Sequence, residues 1–163
     1  MTQKLIAKKI QKATQGFTLI ELLVVVSIIA ILAVVSLSLF GNAQKVARDG
    51  VRRAEINAIA KSFESSRDIP NATYQYNTTY YNNDFGNSNP ADPLGTRNYC
   101  IGINTTDTTP PAPPAAWTSG CPAAPFNNAF SDTWTMAAGT RSWTACASLE
   151  ATTTPFCIKS IIR

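Results

Sequence analysis

Gly16-Phe17-Thr18-Leu19-Ile20-Glu21-Leu22-Leu23-Val24-Val25 opens an apolar run that continues to Phe40. Between Phe17 and Phe40 the one ionisable side chain is Glu21, and Thr18, Ser27, Ser36 and Ser38 are the polar minority. As a helix this run reaches ~36 Å, enough to cross a hydrocarbon core of ~30 Å. The sixteen residues before Phe17 hold Lys4, Lys8, Lys9 and Lys12 and no acid. By the positive-inside rule they form a short cytoplasmic segment.

Secretory signals are cut behind their apolar region, after small residues. Here the small residue, Gly16, stands in front of the run, so a cut there keeps the run in the mature chain. Glu21 is the second unusual feature. A carboxylate near the start of a lipid-facing helix costs ~2–3 kcal/mol even on lenient scales. A cation from another copy, such as a freed α-amino group on Phe17, would compensate when such helices pack side by side. A single-pass protein with a stray Glu is the plainer alternative.

The basic leader, Gly16, Phe17, Glu21 at the fifth place after the cut and the long apolar helix together closely resemble the prepilin signal of type IV pilins and type II secretion pseudopilins. That resemblance implies removal of residues 1–16 by a membrane-bound prepilin peptidase, then N-methylation of Phe17. It also implies an α+β type IV pilin fold: a long protruding N-terminal helix packed on a small C-terminal antiparallel sheet with disulfide-closed loops. The expected partners are further copies of the chain in a helical filament, other or minor pilins, the peptidase/methyltransferase, an inner-membrane assembly platform and the membrane.

The net charge of +4 comes from the leader; without it ten basic residues face ten acidic ones. The pI near 9.0 is therefore a targeting feature and gives no reason to expect nucleic acid as a specific partner. All four cysteines, Cys100, Cys121, Cys146 and Cys157, follow the membrane run, and an even count in an exported domain reads as disulfides. Three pairings are possible. Cys100–Cys121 and Cys146–Cys157 are favoured because each closes a local loop. No cysteine pair has the close spacing of a zinc site and the chain has no histidine, so neither a metal nor a cofactor is expected. A nucleophilic cysteine or serine would also lack its histidine base, and no Gly-rich phosphate loop occurs, so the chain reads as a structural protein and not an enzyme. Major pseudopilins bind calcium in a loop near the C-terminus; the scattered Asp84, Asp92, Asp107, Asp132 and Glu150 do not match that pattern.

Four segments follow: leader 1–16, membrane or filament-core helix 17–40, amphipathic helix 41–68 and exported β domain 69–163. No proline interrupts the chain between Phe17 and Pro70, so one helix of ~78 Å is expected over residues 17–68. Many family members have a proline in the later apolar segment; here Ser36, Ser38, Gly41 and Gly50 are the weak points. Ala47, Val51, Ala54, Ala58 and Ser62, widened by Ile56, Ile59 and Phe63, form the stripe expected to pack on the domain. Lys45, Arg48, Asp49, Arg52, Arg53, Lys61 and Glu64 are expected on a solvated face.

Residues 69–98 read as a polar surface loop, with tyrosines 74, 76, 80 and 81 among asparagines suited to contacts. Asn71, Asn77 and Asn104 begin N-x-T triplets, a short pattern with a high chance rate. Asp92-Pro93-Leu94-Gly95 reads as a turn, Tyr99–Ile103 as a strand, and 104–125 as a Pro-rich loop with Trp117 tucked onto the domain. Strands are then expected at Thr133–Ala137, Ser142–Leu149 and Phe156–Ile161, joined as an antiparallel meander. The resemblance implies a pilus subunit or a pseudopilin of a secretion or competence system, and the Asn-, Thr- and Pro-rich loops with two expected disulfides favour the pilus; the third reading is a membrane-anchored binding module that never polymerises.

Overall fold

The computed structural model describes residues 16–86, 88, 90–126 and 128–161. The leader therefore lies outside the described residues except for Gly16. The chain divides into two compact units at the Phe40–Gly41 junction. One α-helix, α1, runs from Leu19 to Ser65. It passes through Gly41 and Gly50 without a break, and it ends before residue 68 because Arg67–Asp68 turns into a strand.

In the first unit the described side chains of α1 are exposed, among them Leu19, Val34 and Leu37. An apolar surface on all sides is what a bilayer or a bundle of like helices requires. Two hydroxyls in it are satisfied locally: Ser27 Oγ donates to Val24 O at 2.8 Å and Ser36 Oγ to Leu32 O at 2.8 Å. A window of α1 reaches a mean hydropathy of 3.0, so length and composition permit a membrane span.

Among the described residues, the second unit combines the rest of α1 with six short strands and one short helix. Strand β1 (Arg67–Asp68) pairs antiparallel with β2 (Thr73–Tyr74). Helix α2 (Thr78–Phe85) follows, and then β3 (Cys100–Asn104), β4 (Asn128–Ala129), β5 (Ser142–Ala147) and β6 (Phe156–Lys159) make an antiparallel sheet of order β4-β3-β5-β6. The α+β arrangement expected from the sequence is thus present: a long N-terminal apolar helix, a small antiparallel sheet and two disulfides.

The details differ from the expectation at five places. Helix α2 replaces part of the loop expected over 69–98; the Asn77 side chain caps it by accepting from Thr79 N–H at 2.9 Å. Tyr74, Tyr76 and Tyr81 are core residues and not surface contacts. Thr133–Ala137 is not a strand, because Met136 N–H is taken by Tyr76 O at 2.9 Å, outside any ladder. The meander is replaced by a sheet with β3 at its centre, where Ile103 faces Trp143 and Cys100 faces Cys146.

The fifth difference is the packing face of α1, which is shifted in its first half. Ala47, Val51, Ala54 and Ala58 are exposed. Ile56, Ile59 and Phe63, which widened that stripe, are buried as expected, together with Ala60, in one core with Tyr99, Ile101, Trp143 and Ala145. Phe63 is the centre of that core, edge-on to Tyr76 at 4.8 Å and to Trp143 at 5.1 Å. Ser62, the last residue of the expected stripe, is buried.

Strand β5 alternates as expected but both of its faces are covered. Trp143, Ala145 and Ala147 meet α1 in the main core. Cys146 on the opposite face joins Cys100, Trp117 and Phe126 in a second cluster. The Pro-rich loop lies over this outer face. Ser142 Oγ donates to Thr109 O at 2.9 Å, Thr144 Oγ1 donates to Pro111 O at 2.7 Å, and Trp117 Nε1 donates to Asn98 O at 3.2 Å. Trp117 is therefore tucked onto the domain as its composition implied.

Candidate functional site

Two places in the chain concentrate chemistry. The first is the start of α1. Gly16 is exposed, and a Cβ built there meets nothing within 4 Å, so a protease has open access to the following peptide bond. Phe17 is 89% exposed. Thr18 precedes the first helical residue, Leu19.

Glu21 closes on Thr18. Its Oε2 accepts from Thr18 N–H at 2.9 Å and from Thr18 Oγ1–H at 2.7 Å, while Glu21 N–H donates to Thr18 Oγ1 at 3.3 Å. This is a capping box, in which Thr at the cap and Glu three residues on satisfy each other's backbone donors. The T-x-x-E spacing of Thr18 and Glu21 is the sequence signal for it, and it gives Glu21 a local partner besides the cation expected from a second copy. Among the described residues no bond reaches Oε1, which leaves one carboxylate oxygen open to a cation.

The second place is a cluster of charges between α1 and two turns of the sheet domain. Arg52 is fully buried. Its Nη1 lies 2.8 Å from Asp49 Oδ1 and 2.6 Å from Glu150 Oε1, and its Nη2 lies 2.5 Å from Asp92 Oδ1. Arg48 adds a two-pronged contact to Glu150, Nε to Oε1 at 2.9 Å and Nη2 to Oε2 at 2.6 Å. Asp49 also accepts the backbone N–H groups of Glu150 at 2.9 Å and Ala151 at 2.8 Å. Arg48, Asp49 and Arg52 were expected on a solvated face; the buried position of Asp49 and Arg52 overturns that, and Arg48 is half-buried.

The electrostatics follow from this geometry. The Arg48 hydrogen bonds, against burial and with help from Arg52, bring the Glu150 carboxyl down to about 2. Burial pushes Asp49 and Asp92 upward, but backbone N–H donors and Arg52 outweigh it and hold both below the ordinary range. Burial raises Glu55, which accepts a hydrogen bond from Tyr99 O–H. Glu64 binds Tyr74 O–H at 3.1 Å and Ile161 N–H at 3.1 Å.

The cysteines are joined as Cys100–Cys121 and Cys146–Cys157, and none is free. Cys146 and Cys157 are direct partners across β5 and β6. The three N-x-T asparagines are engaged locally: Asn71 donates to Asp68 at 2.6 Å, Asn77 caps α2, and Asn104 holds Thr106 and Asp107 in its loop. Among the described residues no group of three or more His, Cys, Asp or Glu is placed to hold a metal ion.

The family model described as the prokaryotic N-terminal methylation motif matches residues 11–37, which take in Gly16, Phe17, Glu21 and most of the apolar half of α1. No curated protein and no solved structure matches the chain.

Proposed function

We infer, from the premise that residues 11–37 are the prepilin-type signal of type IV pilins and pseudopilins, that this chain is the structural subunit of a type IV pilus. It polymerises through its apolar helix into a surface filament serving adhesion, twitching motility or DNA uptake. The observation that carries this reading is the exposed apolar surface of α1 in its first unit, interrupted by a single acid, Glu21. Such a rod has two stable surroundings, a bilayer before assembly and a bundle of identical rods after it, and both cover the same side chains.

A prepilin peptidase/methyltransferase cuts after Gly16 and methylates Phe17. The new α-amino group of Phe17 on one copy then meets the Glu21 carboxylate of the next, since an unpaired carboxylate is costly in hydrocarbon. An inner-membrane platform, together with other or minor pilins, completes the machine. The protein is a single-pass membrane protein before assembly and an extracellular filament after it. Residues 17–40 act as membrane anchor and filament core, 41–68 as the segment whose helix, from Arg48 to Ser65, packs on the domain, and 69–163 as the exported domain.

The competing reading within the same family is a pseudopilin, whose short periplasmic filament drives secretion or DNA uptake. Electron microscopy of sheared surface material separates the two: long fibres containing this chain support the pilus, and their absence alongside a secretion defect supports the pseudopilus. Glu21→Ala is expected to leave a processed, membrane-resident monomer and few fibres. Normal fibre yield from that variant would overturn the pairing; a wild type that forms no fibres, with Glu21→Ala harmless, would favour an anchored binding module.

A further inference from the structure

We propose that the Arg52 charge cluster is a mechanical stop on α1: the helix can open from Gly41 to Ala47 without disturbing the domain, and opening halts at Arg48–Arg52. This concerns the chain itself and holds for a pilin, a pseudopilin or an unpolymerised anchor.

Two observations define the two sides of the stop. From Gly41 to Ala47 every side chain is exposed, and the segment begins with Gly41-Asn42, two poor helix formers. Gly41 alone costs a helix interior ~1 kcal/mol relative to Ala. Nothing in this stretch is tied to the sheet domain by a hydrogen bond or ion pair among the described residues. Segments with few buried contacts and solvent-exposed backbone bonds are the ones that open locally.

At Arg48 the situation changes within one helical turn. Arg48 binds Glu150, 102 residues away. Asp49 accepts two backbone N–H groups of the β5–β6 turn, and Arg52 reaches both that turn and Asp92. Asp92 in turn gathers the N–H groups of Leu94, Thr96 and Arg97 through Oδ2. One turn of helix is therefore fastened to two separate turns of the domain. Unwinding it would leave three carboxylates and two guanidinium groups without their partners, with Asp49, Arg52 and Asp92 buried, a far larger penalty than opening the segment above. The apolar core begins only after the cluster, at Ile56. An apolar pair would have held the helix against the sheet, but it would have let the helix rotate or slide; directional charge pairs fix its register.

The test is hydrogen–deuterium exchange, read by mass spectrometry, on the full chain in detergent micelles. In the wild type, amides of residues 41–47 are expected to exchange about tenfold or more faster than those of 49–65. In Arg52→Gln the fast zone is expected to extend to about residue 55, with Ile56–Ser65 and β5 unchanged. Gly41→Ala with Asn42→Ala is expected to slow residues 41–47 and leave the boundary in place. Uninterrupted protection through 41–47 in the wild type would overturn the proposal, as would an unmoved boundary in Arg52→Gln. Should Arg52→Gln lose protection in β5 as well, Glu150→Gln decides: a fast zone lengthened by about one turn supports the stop, and an unchanged one contradicts it.

Discussion

Arg52 and Asp92, separated by 40 residues, meet edge to edge: Nε and Nη2 of the one both lie on Oδ1 of the other, at 2.6 and 2.5 Å. Both side chains are shielded from solvent. Removing one member of a buried charge pair leaves the other uncompensated and costs about 3–5 kcal/mol. Asp92→Ala also frees the three N–H groups that its second oxygen holds. The expected loss is therefore about 3 kcal/mol or more, read from chemical denaturation followed by the fluorescence of the buried Trp143. A loss under about 1 kcal/mol, the range of exposed pairs, would show that the pair contributes little to stability.

The same cluster sets an acid dependence. Glu150, Asp49 and Asp92 all titrate below their unfolded values of ~4. Their contribution is complete above about pH 5 and is lost as the pH falls, for Glu150 down to about 2. Glu55 acts the other way: its raised value means its contribution is held at low pH and lost as the pH rises through that value. Three groups against one predict a domain whose melting temperature falls between about pH 5 and pH 2. Glu150→Gln should flatten part of that slope. A melting temperature that stays constant over the interval would contradict the pairing scheme.

Gly102 sits on β3 beneath the ring of Phe126. A Cβ there would meet Phe126 Cζ at 2.8 Å, and the ring is itself buried. Gly102→Ala should therefore destabilise the domain by about 1–3 kcal/mol, the usual cost of overfilling a packed site. Pairing Gly102→Ala with Phe126→Leu should recover part of the loss, because the shorter side chain vacates the space. Denaturation midpoints of the two variants check this; equal losses with and without Phe126→Leu would show that the ring is not the obstacle.

The start of the chain was legible because its signal is carried by residues in fixed order: Gly16, Phe17, Glu21 and an uninterrupted apolar run. The α+β class was legible from the same run and from the alternation in Cys100–Ile103 and Ser142–Ala147. The packing face of α1 was legible only in its second half, where Ile56, Ile59, Ser62 and Phe63 of the expected stripe are buried. Ala47, Val51, Ala54 and Ala58 make a clean stripe of small residues, but the buried face runs through Asp49, Arg52, Ile56, Ile59 and Phe63. Hydrophobic periodicity cannot mark a face that begins with buried charges, since Asp and Arg score as surface whatever their partners. Helix α2 was hidden for a related reason. Thr78–Phe85 has little apolar period, and its tyrosines among asparagines look like a loop until Asn77 is seen as a cap. Thr133–Ala137 alternates like a strand, yet alternation does not supply a neighbour to pair with.

The central claim is that the apolar rod is retained after processing and serves assembly. Mass spectrometry of the protein purified from its own cells tests it most directly. The account predicts a mature chain that begins at N-methylated Phe17 and keeps residues 17–40. A mature chain beginning beyond Phe40 would contradict it.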